Sequence, residues 1–165
     1  MSYILIVGAK SDVAKSLAKL YAKNNYNIYL AARNCQELEP FAMDLSIRER
    51  QDIKCLELDI LDWDNHEAFY NSLDKKPYGV ITAVGYLGDQ KLGEKNFSEV
   101  EKITFTNLLG NMSLLNIIAN DFERRGKGFI IGLSSVAGDR GRQKNYFYGA
   151  SKAGFTTYLS GLRNR

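Results

Sequence analysis

The chain has 165 residues, 45% of them apolar and 25% charged, which suits one globular domain over residues 1–165 and excludes a disordered or low-complexity chain. Its formal net charge is only +3 and its 22 basic residues are spread along the sequence, which argues against nucleic acid as a partner. The N-terminal Tyr-Ile-Leu-Ile-Val run is too short for a membrane span and has no basic segment or cleavage site beside it, so the expectation is a cytoplasmic protein.

Short apolar runs alternate with longer segments of helical period, the pattern of repeated βαβ units around a parallel sheet covered on both faces. The fold class expected is α/β, a doubly wound parallel sheet of the Rossmann type. Strands are predicted at Tyr3–Val7, Asn27–Ala32, 53–58, 78–84 and 128–133, each followed by a helical stretch. In the first helix, Asp12–Lys23, the spacing puts Val13, Leu17, Leu20 and Tyr21 on one stripe and Lys15, Lys19 and Lys23 in water, and Asn24-Asn25 ends it. Cys35 and Cys55 have neither CxxC nor metal-type spacing and read as reduced, part-buried thiols, with no metal expected. His66, the only histidine, has no ligand set near it and reads as a helix-surface residue. A long helical region over 98–125 opens with a capping-type Ser98 three residues before Glu101. The last helix, over 146–162, runs into Arg163-Asn164-Arg165 with no cap glycine and no following strand. That ending predicts a domain truncated after the helix that carries Tyr148 and Lys152, with its fifth strand left as an unprotected edge.

The turn after the first strand, Gly8-Ala9-Lys10-Ser11-Asp12-Val13-Ala14, offers a small backbone and free N–H groups at a helix start, where a pyrophosphate can sit. Asp12 and Ala14 stand where a dinucleotide fingerprint prefers glycine, and a plain strand-to-helix connector with Asp12 as its cap has the same look. At the end of the second strand Arg33 favours the 2′-phosphate of NADP over the ribose hydroxyls of NAD, with Lys10 able to assist; a solvated strand-end arginine is the plainer alternative, and NAD stays open. Asp59 and Ile60, after the third strand, suit an adenine edge or a simple aspartate turn. The small residues of Ala83-Val84-Gly85, after the fourth strand, let the backbone approach a cofactor.

Between Leu133 and Ala153 the chain reads Leu-Ser-Ser-Val-Ala-Gly, a basic loop, then Tyr-Gly-Ala-Ser-Lys-Ala. Tyr148 and Lys152 are four apart and share a helix face, with Ser135 upstream at a strand end. With ten tyrosines in the chain, about one Tyr-x-x-x-Lys pair is expected by chance, so the surrounding pattern carries the weight.

In this order the Gly8 turn, Asp59, the Gly85 turn, Asn107, Ser135, Tyr148 and Lys152 resemble the short-chain dehydrogenase/reductase family, over Tyr3 to Arg165. The resemblance implies that Asn107, Ser135, Tyr148 and Lys152 are the catalytic set. It also implies that Tyr148 and Lys152 meet the cofactor, Lys152 at the nicotinamide ribose, and that Asn107 fixes a helix irregularity and a relay water. Tyr86-Leu87-Gly88-Asp89-Gln90, with the segment 135–142, is similar to reductases of lipid-linked keto-sugars, the decaprenylphosphoryl 2-keto-pentose reductase group. The Gly-x-x-x-Asp-x-Ala turn and Ala83-Val84-Gly85 depart from the commonest family patterns.

The chemistry so implied is physically coherent. A carbonyl that accepts a hydride becomes an alkoxide and needs a proton donor within hydrogen-bond reach, the role of Tyr148. A free phenol ionises near pH about 10, and the ammonium of Lys152 favours its phenolate. Ser135 donates to the oxygen as charge develops, with Ser134 as the fallback donor. Arg140 and Arg142 suit either a substrate phosphate or a surface ion pair. The function expected is NADPH-dependent reduction of a ketone, on a sugar or lipid-linked sugar. A cofactor-binding sensor without turnover and a sugar epimerase or dehydratase on the same scaffold are the alternatives. The family resemblance further implies a homodimer or homotetramer through the two long helices, 107–122 and 146–162.

Overall fold

Successive side chains of a strand point to opposite faces of its sheet, and the three inner strands here are buried on both. The computed structural model describes residues 2–165. Its elements are β1 (Tyr3–Val7), α1 (Asp12–Lys23), β2 (Asn27–Ala32), α2 (Glu39–Glu49), β3 (Ile53–Glu57), α3 (His66–Ser72), β4 (Gly79–Thr82), α4 (Gln90–Gly93), α5 (Phe97–Thr104), α6 (Gly110–Arg125), β5 (Phe129–Gly132) and α7 (Tyr146–Asn164). A π-helical turn, Phe105–Leu109, joins α5 to α6.

The five strands are all parallel, in the order β3-β2-β1-β4-β5. Tyr3, Leu5 and Val7 of β1 pack with Leu114, Leu115, Ile118 and Phe155 on the α6 and α7 face. Ile4 and Ile6 pack with Ala14, Ala18 and Ala22 of α1 and Leu45 of α2 on the other. Burying each such leucine or isoleucine contributes about 1.5–3 kcal/mol. The chain leaves β1 for β2 on one side and returns to β4 on the other, so a crevice opens at the carboxyl ends of β1 and β4. The strand order thereby fixes where a ligand can enter.

Four expectations are corrected. The strands after β2 are shorter than predicted, ending at Glu57, Thr82 and Gly132; the N–H groups of Leu58, Ala83 and Leu133 still bond to the neighbouring strand, and the chain then turns into the crevice loops. The buried stripe of α1 is Ala14, Ala18 and Ala22, while Val13 and Leu20 are 54% and 56% exposed; only small side chains let this helix lie close on the sheet. The cap of α5 is Asn96, whose side chain accepts from the N–H of Ser98, so the helix begins at Phe97 and Ser98 is inside it. His66 is fully buried, not on a helix surface. Its Nδ1 lies 3.0 Å from Ser113 Oγ and its Nε2 3.4 Å from the Asp59 carbonyl, which ties α3 to α6 and to the turn after β3.

The edge at β5 is open among the described residues. A groove of about 850 Å³ runs beside it between α6 and α7, floored by Phe122, Phe129, Ile130 and Leu159.

Candidate active site

The first wall of the crevice is the turn after β1. Gly8 has φ +78°, and a Cβ there would lie 2.8 Å from Val84 N, so both the backbone conformation and the approach of the β4 loop demand glycine. Ser11 caps α1: its hydroxyl accepts from Ala14 N and its carbonyl from Lys15 N. The first-turn N–H groups of Asp12 and Val13 are left without intrahelical acceptors. The side chains of these two residues are exposed and stand outside the cleft lining, so they contribute backbone donors at the positive end of the helix.

The cleft measures about 690 Å³ and gathers nine of the residues singled out in the sequence: Gly8, Lys10, Ser11, Arg33, Asp59, Ile60, Ala83, Val84 and Gly85. Arg33 is exposed at the end of β2 and forms no ion pair among the described residues. Lys10 is ion-paired with Glu37 at 2.8 Å. Asp59 Oδ1 accepts from Leu61 N at 3.0 Å, so this aspartate does form the turn after β3. Cys35 and Cys55 are free and half-buried, as expected.

Glu57 was not singled out in the sequence. Its two carboxylate oxygens accept from the N–H groups of Cys35 and Asn34, each at 2.8 Å, which fixes Asn34 in a left-handed conformation beside Arg33. Those backbone donors hold its carboxyl below the usual range.

The second cluster lies where β4 and β5 end. Lys152, 2% exposed on α7, donates from Nζ to the carbonyls of Leu133 at 3.0 Å and Val84 at 3.4 Å. Burial pushes its pKa below the ordinary lysine value. Asn107, in the π turn, is fully buried. A Cβ on Gly85 would lie 3.5 Å from Asn107 Oδ1 and 3.8 Å from Lys152 Nζ, so amide and ammonium flank one glycine of the cleft. Lys152 Nζ is 5.8 Å from the centre of the Tyr148 ring, and Tyr148 is half-buried one turn earlier on the same face. Ser135 Oγ accepts from Ala137 N at 3.1 Å, which leaves its proton free to be donated. Gly149 keeps this short turn close to α7, since a Cβ there would lie 2.6 Å from the Ala137 carbonyl oxygen. Ser134 is corrected as a fallback donor: its hydroxyl faces Thr156 Oγ1 at 2.6 Å and the Lys152 carbonyl at 3.2 Å, so it is committed to α7.

The loop after β4 is clamped from α5 and the π turn. Asn107 donates to the Tyr86 carbonyl and accepts from its N–H, and Glu99, only 7% exposed, accepts from the Tyr86 hydroxyl and from Asp89 N, each at 2.9 Å. Lys102 Nζ sits over the Tyr86 ring at 4.5 Å. Glu99 and Lys102 were not picked out in the sequence, where a mid-helix glutamate carries no signal of burial; Tyr86 entered there only as part of the 86–90 segment, with no role of its own. Arg140 and Arg142 are exposed in the loop before α7. Among the described residues no group of three metal-ligating side chains occurs, and no helix is long and apolar enough to cross a membrane.

A parallel sheet with a nucleotide-sized crevice at its switch point defines the class: a Rossmann-type α/β domain. The chain belongs to the short chain dehydrogenase family, whose model matches residues 2–165. It is 33% identical over 162 residues to an uncharacterized oxidoreductase of Mycobacterium tuberculosis, covering 96% of this chain and 65% of that protein. It is 28% identical over 165 residues to the NADP-dependent 3-hydroxy acid dehydrogenase of Schizosaccharomyces pombe, covering 97% and 64%. The chain thus spans about 65% of the length of these relatives. Among solved structures, a short-chain dehydrogenase from Sphingobium yanoikuyae in complex with NADPH superposes with TM-score 0.89 at 23% identity, over 98% of this chain and 64% of that one. The bulky-bulky ketone specific alcohol dehydrogenase from Comamonas testosteroni superposes with TM-score 0.88 at 23% identity, over 98% and 66%. These likenesses establish the fold.

Proposed function

We propose that the protein carrying this chain is an NADPH-dependent reductase that converts a ketone to an alcohol, with Tyr148 as the proton donor. The observation that carries the reading is the pair of groups flanking Gly85: a buried amide and a buried ammonium at the end of the dinucleotide-sized crevice, with Tyr148 next to that ammonium. The residues suit a dinucleotide. Unpaired N–H groups at the start of α1 match a pyrophosphate, and Arg33, free of any ion pair among the described residues, matches a 2′-phosphate. The fission yeast relative named as NADP-dependent and the structural neighbour bound to NADPH support that choice over NAD.

When bound, the cofactor supplies a hydride to the carbonyl carbon. The chain's own residues deal with the oxygen. Ser135 donates a hydrogen bond to it as negative charge develops, and Tyr148 transfers its phenolic proton to complete the alcohol. The Lys152 ammonium balances the charge left on Tyr148. The clamp on Tyr86 keeps the Gly85 loop in place, so that reacting groups meet in a fixed geometry.

The finer reading is a keto-sugar substrate, free or lipid-linked, with Arg140 and Arg142 meeting a substrate phosphate. The experiment is a screen of the complete natural protein with NADPH against ketones, led by phosphorylated and lipid-linked keto-sugars, followed by absorbance. Turnover lost in a folded Tyr148→Phe variant supports the assignment; a variant with undiminished turnover sinks it.

A further inference from the structure

At Asn107 the helix changes register, and a π turn persists only where something holds it against ordinary α-helical bonding on either side. The carboxamide of Asn111 is placed to do so. Its Nδ2 donates to the carbonyls of Thr106 at 3.0 Å and Asn107 at 3.4 Å, inside the turn. Its Oδ1 accepts from the Thr82 hydroxyl at 2.5 Å, at the carboxyl end of β4. The Thr106 and Asn107 carbonyls can only accept, so they require the Nδ2 end of the carboxamide to face the turn, and the Thr82 hydroxyl donates to the Oδ1 end that remains. Asn111 is 1% exposed and Thr82 2%, so no water replaces a lost bond.

We propose that Thr82 and Asn111 form a brace that locks the π turn in register and so aims the Asn107 carboxamide at Tyr86. Both are positioning residues, and the proposal rests on reading Asn107 as part of the reductase site. Adjacent helical residues differ by about 100° in direction, so a one-residue relaxation of the turn swings Asn107 off the Tyr86 backbone. The turn cannot drift sideways to compensate, because a Cβ on Gly110 would lie 2.3 Å from the Ile60 carbonyl oxygen. Thr82 thereby links the strand that opens the cleft to the residue that clamps its loop.

The test is amide exchange and carboxamide resonances in the ¹⁵N-labelled complete protein, for Thr82→Val, Thr82→Ser and Asn111→Leu. In Thr82→Val and Asn111→Leu, the Tyr86 N–H, which Asn107 accepts, exchanges at least about tenfold faster, corresponding to one lost hydrogen bond, and the Asn107 carboxamide signals shift. Thr82→Ser restores both. Protected amides in β1 report an intact fold, and should Asn111→Leu not fold, Thr82→Val decides alone. Tyr86 and Asn107 signals unmoved in a folded Thr82→Val protein overturn the brace. If the parent protein turns over NADPH, kcat falls in Thr82→Val with KM for NADPH held; an inactive parent sinks the reductase reading and leaves the exchange result to judge the brace.

Discussion

One side chain, Asn107, meets both backbone polar groups of Tyr86: Nδ2 donates to the carbonyl at 2.6 Å and Oδ1 accepts from the N–H at 3.0 Å. The same Nδ2 donates to the Ile103 carbonyl at 2.7 Å, within the helix. A strand-end loop is thus paired to a helix as one strand is paired to another.

Replacing Asn107 by leucine keeps the volume and removes every one of these bonds. The orphaned groups, some of them buried, cost about 1–3 kcal/mol each, so a loss of about 2–4 kcal/mol in unfolding free energy is expected by urea titration. Amides of residues 85–89 gain the most exchange, since they lose the contact that fixed them. A variant as stable as the parent contradicts the clamp.

Lys152 combines a cost in stability with the role proposed for it in catalysis. No carboxylate faces it; two carbonyls do, and burial pushes its pKa down. An unfolded lysine binds its proton up to the ordinary lysine range, while the folded one releases it earlier, so stability rises with pH through the window below about 10.4. Lys152→Met removes that slope and the burial of a charge together. The expected outcome is a protein within about 1 kcal/mol of the parent, or more stable, at neutral pH. If the complete protein has the proposed reductase activity, its turnover falls at least about a hundredfold in this variant, the scale of lost acid–base assistance. Urea midpoints across pH 7–10 and NADPH oxidation check the two halves separately.

His66 gives the opposite end of the pH scale. Burial lowers its pKa from the usual 6.5, so the unfolded chain takes up a proton on acidification before the folded one does. Its stabilising contribution is complete above about pH 6.5 and is lost as pH falls through the lowered folded value. Because the ring holds Ser113 and the Asp59 carbonyl, acid weakens the cleft floor at the turn after β3 first. His66 is the chain's only histidine, so its ring proton resonances give a one-site titration. A midpoint at or above 6.5 contradicts the prediction; His66→Phe flattens the stability profile between pH 7 and 5.

How far the sequence spoke depends on whether a residue's role was local. The five strands and α1 were legible because period and turn chemistry act within a few residues, and the places of Gly8, Arg33 and Gly85 along the cleft were legible because each follows a strand by one to three residues. His66 and Glu99 were not, since their burial is decided by helices brought over them from elsewhere. The stripe of α1 was misread for a related reason: hydropathy favours Val13 and Leu20, whereas close helix-to-sheet contact selects Ala14, Ala18 and Ala22. Asn111 and Thr82 sit 29 residues apart, and no spacing rule joins them.

β5 is outermost in the sheet of the described residues, and its free side has a consequence for this 165-residue chain. Beyond β5 no described strand follows in the sheet order, so its outer N–H and C=O groups face the groove beside α7, and Ile131 is 40% exposed. An unpaired apolar edge is a template for another strand. The 165-residue chain alone is therefore expected to self-associate as concentration rises, and Ile131→Lys, which adds charge to the strand, shifts it toward monomer. Sedimentation velocity from about 5 to 200 µM, a range in which weak edge contacts respond by mass action, reads the outcome. A parent chain that stays monomeric throughout shows that the groove already shields the edge, and the substitution then has no effect.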